Sequence, residues 1–140
     1  MGYGLPAAIA AKLHHPDRDV ICMAGDGCFQ MVSQEFGTAC QYGANVIVII
    51  SDNGMYGTIR MHQEREFPGR VSGTSLHNPD FAALARAYGG WAATVERTEQ
   101  FAPALAEALT QPGLKLLHLK TEIENIAASG ATVSGLRGRA

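Results

Sequence analysis

Charged side chains are scarce in this sequence of 140 residues. They make up 17% of it, against about 25% in an average soluble domain. The formal net charge is −2 at pH 7, so no basic excess indicates nucleic acid as a partner. No apolar run reaches the roughly 18 residues of a membrane-spanning helix, so no membrane is expected either. A surface with so few charges favours contact with other domains or chains.

Cysteines and histidines are also few, and their number and spacing argue against two kinds of site. The three cysteines form no CxxC pair, and their odd number argues against a disulfide framework. The five histidines include no HExxH spacing, which makes a zinc site improbable. Cys22 and Cys40 are predicted to be buried free thiols, and we expect a reducing, cytoplasmic location.

Hydrophobic residues amount to 46% of the chain and fall into alternating short runs and helical patterns. The runs predict strands at residues 20–24, 46–50, 91–95 and 114–119. Helical spacing predicts helices at residues 5–14, 29–42, 81–88 and 98–109, the last capped by Thr98. Residues 54–74 are irregular, and the tail 121–140 is expected to be loose or docked elsewhere. This alternation predicts an α/β fold with a parallel sheet flanked by helices, in a Rossmann-like three-layer arrangement.

Polar residues follow the first two predicted strands at the point where each ends. Asp26 lies between Gly25 and Gly27 after the first strand, and Asn53 follows the second. Neighbouring parallel strands would bring these hard oxygen ligands to one sheet edge, where they suit Mg²⁺ and a phosphate group. We expect both glycines to let the backbone approach a bulky anion with unusual dihedral angles. A helix starting near Cys28 would direct free N–H groups at that anion. Alone, Gly-Asp-Gly is more simply interpreted as a tight turn.

These residues resemble the motif of thiamine diphosphate (ThDP) enzymes of the acetolactate synthase type. That motif has Gly-Asp-Gly and then Asn-Asn at a fixed distance, and Asp26 and Asn53 are 27 positions apart here. Asp52 replaces the family's first Asn. Residues 1–8 and 78–81 are also similar to segments of acetolactate synthases. The resemblance extends over residues 1–120 and identifies them as the ThDP diphosphate-binding domain.

The resemblance implies a role for nine residues. Asp26, Asn53 and the main-chain carbonyl of Met55 would hold Mg²⁺, and Met1 would lie under the thiazolium ring. The other residues implied in cofactor binding are Gly25, Gly27, Cys28, Tyr56 and Gly57. Other interpretations stay open: Met1 as an initiator at a frayed terminus, Asp52 as a turn cap, and Tyr56 as an ordinary aromatic residue. Arg60, His62 and Arg65 are interpreted as a solvated basic face.

The resemblance further implies part of a carboligase that decarboxylates 2-ketoacids, forming 2-acetolactate from pyruvate. The family's activating glutamate lies on another domain, so no catalytic residue is expected in this chain, which would be inactive alone. We expect an N-terminally truncated domain without its pyrimidine-binding and middle domains, from a homodimeric or homotetrameric parent. FAD is possible in that parent but would not bind here.

Several alternatives remain. The chain could be a non-catalytic ThDP-binding fragment or part of a related 2-ketoacid decarboxylase. Acetolactate synthases have Met and Trp where this chain has Thr58 and His62, which leaves the acceptor ketoacid open. Pyruvate decarboxylases have a catalytic Glu where Ile59 stands, which argues against that activity. An unrelated nucleotide-binding domain is disfavoured because neither GxxxxGK[ST] nor GxGxxG occurs.

Overall fold

A computed structural model describes residues 1–124, 126 and 130–138, and it contains one four-stranded sheet. All strands are parallel, in the order β1-β2-β4-β3. Their bounds are Val20–Gly25 (β1), Val46–Asp52 (β2), Trp91–Val95 (β3) and Lys115–Lys120 (β4). The predicted α/β fold and parallel sheet are therefore confirmed.

Helices cover both faces of the sheet, which explains the uninterrupted apolar sequence of β2. Val46, Val48 and Ile50 face one core, which they share with Phe29, Phe36 and Phe81. Ile47 and Ile49 lie on the other face, against Leu117 and the helix Phe101–Thr110. The helices are Gly4–His14 (α1), Asp26–Gln30 (α2), Glu35–Gln41 (α3), Gly57–Glu66 (α4), Phe81–Ala87 (α5), Phe101–Thr110 (α6) and Val133–Arg137 (α7). A strand buried on both faces has no polar alternation, as its sequence predicted.

Several local predictions are wrong in detail. The helix predicted at 29–42 is divided into α2 and α3, because the chain forms tighter turns between them, in which the N–H groups of Val32, Glu35, Phe36 and Gly37 bond carbonyls three residues back. This break still allows Phe29 and Phe36 to pack with their ring centroids 5.0 Å apart. Thr98 is the first residue of a 3-10 turn whose cap is Arg97, so it is not a cap itself. Cys22 is buried as predicted, but Cys40 is exposed.

Two helices were not predicted, and they pack against each other. α4 lies in the supposedly irregular segment 54–74, and α7 lies in the tail and packs on α4 rather than being loose. Met55, Ile126 and Val133 form a small apolar cluster at this contact. α4 escaped prediction because its buried residues are Arg60 and Glu64, which leaves no apolar stripe. Among the described residues, no helix is long and apolar enough to cross a bilayer.

Candidate functional site

The carboxyl ends of β1 and β2 lie side by side, since the two strands pair in parallel with Gly25 opposite Ser51. Asp26 begins α2 directly after β1 and is buried. Its Oδ1 accepts a hydrogen bond from the Gly27 N–H at 2.8 Å. Its Oδ2 accepts another from the Gly54 N–H at 2.9 Å. The second bond ties the loop after β2 to the start of α2.

One cavity of about 410 Å³ opens at this edge of the sheet. The structure brings all nine residues singled out from the sequence to its walls. They are Met1, Gly25, Asp26, Gly27, Cys28, Asn53, Met55, Tyr56 and Gly57. Thr58, Ile59 and Ile126 complete the lining. The Asn53 Oδ1 atom accepts a hydrogen bond from the Met55 N–H at 3.2 Å, which shapes the turn between them.

A partly buried polar network is bonded to Asp26 through Asn78. The Asn78 amide nitrogen donates to Asp26 Oδ2 at 2.7 Å and to Asp52 Oδ1 at 2.6 Å. Asp52 Oδ2 lies 2.7 Å from His118 Nε2 and accepts from Lys120 Nζ at 2.7 Å. Asp52 also caps the turn through the Gly54 N–H at 3.1 Å, so the capping interpretation is correct but incomplete.

The two neighbouring carboxyl groups have opposite pKa shifts. Burial raises the pKa of Asp26, and nearby Asp52 adds to the increase against the hydrogen bonds from Asn78 and Gly27. Burial also acts to raise the pKa of Asp52, but hydrogen bonds from Lys120, His118 and Asn78 outweigh it and lower the pKa below its ordinary value. A divalent cation beside Asp26 would favour its ionised form.

Two glycines of the site leave little or no space for a larger residue. An added Cβ at Gly27 would lie 2.4 Å from Tyr56 Cε1, and one at Gly57 would lie 3.0 Å from the Ile126 carbonyl oxygen. The expected unusual dihedral angles are not found at Gly25, where φ is −75° and ψ is 157°, or at Gly27, which lies within α2. In this loop region the positive φ belongs to Gly54, at 70°. Gly27 therefore allows close packing rather than a special backbone conformation.

The first turn of α4 forms one wall of the cavity through Gly57, Thr58 and Ile59. This turn carries no acidic residue, and Tyr56 provides no side-chain cap. Uncapped N–H groups at the start of a helix favour anions such as phosphates. α2 begins at Asp26, two residues before the predicted start near Cys28. The cavity thus combines hard oxygen donors with a helix N-terminus suited to an anion.

The oxygen donors fit Mg²⁺ bound together with a phosphate group. In the part of the chain that the structure describes, no group of three or more His, Cys, Asp or Glu side chains is placed to hold a metal. An ion beside Asp26 and Asn53 would therefore need further oxygen ligands from carbonyls, water or a phosphate. Mg²⁺ is commonly held in this way, by one or two carboxylates with phosphates and water.

Arg60 is buried, and the interpretation of a solvated basic face is wrong for it. Its guanidinium lies 3.8 Å from the buried carboxylate of Glu64, one helical turn later on α4. The side chain of Arg137 on α7 reaches the same carboxylate. The spacing of Arg60 and Glu64 by four residues was the sequence signal for this pair.

Acid unfolding should depend on Glu64. Hydrogen bonds from Arg137 and the Gly69 N–H lower the pKa of Glu64 to about 2, from an ordinary value of 4.5. A carboxyl with a lowered pKa stabilises the folded chain above its ordinary pKa, and that contribution is lost as the pH falls from 4.5 toward 2. We therefore expect Glu64→Gln to be less stable than the wild type near neutral pH, with the difference shrinking through this window. Urea unfolding at several pH values measures it, and a difference independent of pH would contradict the assignment.

Comparison with protein families gives a match over most of the chain. Residues 1–119 match the family described as thiamine pyrophosphate enzyme, C-terminal TPP binding domain. An acetolactate synthase of Arthrospira platensis is 43% identical over 122 residues, which cover 86% of this chain and 21% of that protein. The acetolactate synthase isozyme 2 large subunit of Escherichia coli K12 is 39% identical over 128 residues, covering 90% of this chain and 23% of the subunit.

A solved structure shows the same fold. The thiamine diphosphate-dependent 4-hydroxybenzoylformate decarboxylase of Rhodococcus jostii RHA1 is similar with a TM-score of 0.80 and 35% sequence identity. The similarity covers 87% of this chain and 23% of the decarboxylase chain. This chain therefore spans about a fifth of the length of the relatives that it matches.

Proposed function

The chain belongs to the C-terminal TPP binding domains of the thiamine pyrophosphate enzymes, and on that premise we propose that its cavity holds the diphosphate of ThDP with one Mg²⁺ ion. The observation that carries this proposal is the meeting of nine sequence-predicted residues on one cavity. Apart from Met1 at the N-terminus, they come from the end of β1, from the loop after β2 and from the starts of α2 and α4. If Gly-Asp-Gly were only a tight turn without a ligand role, the other residues would not need to line the same cavity.

Each wall of the cavity has a separate task in this proposal. The Asp26 carboxylate, the Asn53 amide oxygen and the Met55 carbonyl hold Mg²⁺. Backbone groups of Gly25, Gly27, Cys28, Tyr56 and Gly57 contact the diphosphate, and Met1 lies under the thiazolium ring. Bound ThDP supplies the carbanion chemistry, and the chain's own contribution is binding and orientation.

For the parent reaction we propose carboligation of 2-ketoacids, with pyruvate giving 2-acetolactate. The support is the similarity to acetolactate synthases, at 39% and 43% identity over most of this chain. Ile59 lies on the cavity wall and offers no proton donor there. A 2-ketoacid decarboxylase is the second candidate, favoured by the structural similarity to the Rhodococcus decarboxylase. Product analysis with pyruvate separates them, because the first gives 2-acetolactate and the second an aldehyde.

If this proposal is correct, catalysis needs a further residue that does not belong to the cavity lining. Asp26 is the sole carboxylic acid among the described residues that line the cavity, and its proposed task is to hold the metal. The glutamate that activates the aminopyrimidine would come from a pyrimidine-binding domain, in a homodimer or homotetramer. The 140-residue chain alone would then bind cofactor without forming product, and any FAD would bind in a different domain.

Calorimetric titration tests the binding proposal directly. ThDP is titrated into the purified chain in the presence of Mg²⁺ and, separately, with excess EDTA. We expect saturable binding of one ThDP per chain with Mg²⁺ and a loss of affinity with EDTA. Equal heats in both titrations, or none in either, would count against the metal-diphosphate site.

Gly25→Ala should weaken this binding without changing the fold. An added Cβ at Gly25 meets no atom within 4 Å, and the dihedral angles at this position suit any residue. The methyl group would enter space at the cavity wall that we assign to the diphosphate. We expect the free energy of unfolding to change by less than about 0.5 kcal/mol and ThDP affinity to fall about tenfold. Unchanged affinity would show that the ligand does not approach the Gly25 backbone.

A further inference from the structure

α4 buries two charged residues instead of an apolar stripe. Arg60 is 6% exposed and Glu64 is 1% exposed, and these two are the buried residues of the helix. Burying charged groups costs free energy unless they are paired and hydrogen-bonded. Replacing such a group by apolar residues is often neutral or stabilising, so stability alone does not explain this arrangement. The contacts of the two side chains indicate a different purpose.

Arg60 contacts a segment that holds the loop after β2. Its Nε donates to Thr74 Oγ1 at 2.7 Å, and its Nη2 donates to Ser75 Oγ at 3.1 Å. The backbone of this segment pairs with the loop on both sides of Met55. The Tyr56 N–H donates to the Thr74 carbonyl at 2.9 Å, and the Leu76 N–H donates to the Gly54 carbonyl at 2.8 Å. The planar guanidinium of Arg60 holds its N–H donors in fixed directions. Its two bonds therefore align segment 74–76 for pairing with the loop after β2.

Glu64 connects the same arginine to the C-terminal helix. Arg137 of α7 donates to both carboxylate oxygens of Glu64, at 2.9 Å from Nε and 2.7 Å from Nη2. This two-point contact fixes the orientation of α7 on α4. The apolar cluster of Met55, Ile126 and Val133 lies beside it, and Ile126 also lines the cavity. Val133 of α7 thereby packs in the same apolar cluster as Met55.

We propose that Arg60, Glu64 and Arg137, here called the Arg–Glu–Arg cluster, are positioning residues that fix loop 53–57 at the cofactor cavity. Arg60 aligns segment 74–76 against the loop. Glu64 and Arg137 hold α7 and its apolar cluster against Met55. The relevance of the cluster to metal binding rests on the function proposed above, because that function assigns a Mg²⁺ ligand to the Met55 carbonyl.

The lowered pKa of Glu64 agrees with this arrangement. The carboxylate accepts the bidentate contact from Arg137 and a further bond from the Gly69 N–H at 2.8 Å. The Glu64 carboxyl is therefore ionised near neutral pH, and the ion pairs of the cluster persist there. A residue in another part of the chain, 73 positions away from Glu64, thus sets the shape of the cavity wall.

Amide hydrogen exchange of the purified 140-residue chain, measured by NMR, tests the cluster without any cofactor. The reporting amides are those of Tyr56 and Leu76, because their bonds join the loop to segment 74–76. Arg60→Met should raise exchange at both amides about tenfold or more, with Ile49 and Leu117 in the sheet unchanged. Arg137→Met should raise exchange at Tyr56 as well. The matched control is Arg97→Met, which removes an exposed pair with Glu99 and should change none of these amides.

Unchanged exchange at Tyr56 and Leu76 in both cluster variants would overturn the proposal, and so would an equal rise in the sheet amides. If Arg60→Met does not fold, Arg137→Met decides, since Arg137 is half-exposed and Glu64 keeps its ion pair with Arg60 and its bond from the Gly69 N–H. ThDP titration with Mg²⁺ then separates the two proposals. Absence of wild-type binding defeats the metal-diphosphate site, whereas the exchange result still decides whether the cluster positions the loop.

Discussion

Asp26→Ala should lower the affinity for ThDP in the presence of Mg²⁺ by at least about a hundredfold, and the remaining binding should no longer depend on the metal. The carboxylate is the one charged protein ligand in the proposed Mg²⁺ site. It also accepts hydrogen bonds from the N–H groups of Gly27 and Gly54, and the bond from Gly54 joins the loop after β2 to the start of α2. The variant therefore lacks both the charged metal ligand and the hydrogen bond that holds the loop after β2. Calorimetric titration with Mg²⁺ and with EDTA measures the effect.

A loss of affinity caused by unfolding of Asp26→Ala must be separated from one caused by the missing metal-binding carboxylate. Removing the acceptor of several buried donors destabilises by about 1–3 kcal/mol, so urea unfolding of the variant without ligand sets the conditions for titration. Asp17→Ala is the matched control, since it removes an exposed carboxylate that lies before the start of β1, whereas the cavity lies at the end of that strand. Retention of metal-dependent affinity in Asp26→Ala, or an equal loss in Asp17→Ala, would refute the metal assignment.

Gly27→Ala should damage the site by a steric route. Its Cβ would lie 2.4 Å from Tyr56 Cε1 and 3.1 Å from Leu76 Cδ1, so the Tyr56 ring has to move. Tyr56 is part of the cavity wall and precedes α4, so the displacement reaches the start of that helix. Overpacking of this kind costs about 1–3 kcal/mol. We expect that loss in urea unfolding, together with at least about a tenfold loss of ThDP affinity.

Gly37→Ala provides the control for a glycine inside a helix. The added Cβ lies 3.5 Å from Tyr88 Cε1, an ordinary contact, so this variant should gain about 0.5–1 kcal/mol from helix propensity. Adding Tyr56→Ala to Gly27→Ala should restore much of the lost stability by removing the ring. A single variant Gly27→Ala as stable and as tight-binding as the wild type would contradict the packing at this position.

Local sequence patterns were sufficient for the sheet and for the site's location. The run at 46–50 is apolar without alternation because both faces of β2 are covered, and that feature is visible in the sequence. Asp26 and Asn53 each follow a strand directly, so the parallel pairing of β1 and β2 places both at the same cavity. The resemblance then added the Met55 carbonyl and Met1, which no pattern of residue types would have indicated.

Contacts between distant residues account for what the sequence did not reveal. α4 has no apolar stripe, and its buried carboxylate at Glu64 is paired with Arg137, 73 positions further along the chain. Asn78 was noted for its similarity to a family segment, but its bonds to both Asp26 and Asp52 depend on the folded loop. The need for glycine at position 27 likewise comes from the Tyr56 ring and not from the local backbone conformation. Residue periodicity contains no information on such contacts.

Paramagnetic broadening by Mn²⁺ tests the metal-diphosphate site most directly, because Mn²⁺ takes the same oxygen ligands as Mg²⁺. Amide resonances of the 140-residue chain are recorded with Mn²⁺ alone, with ThDP alone and with both. We predict that Mn²⁺ and ThDP together broaden the amides of Gly27, Gly54 and Met55, and that excess Mg²⁺ reverses this. Broadening confined to exposed carboxylates, or broadening of the cavity amides that is indifferent to ThDP, would contradict the site.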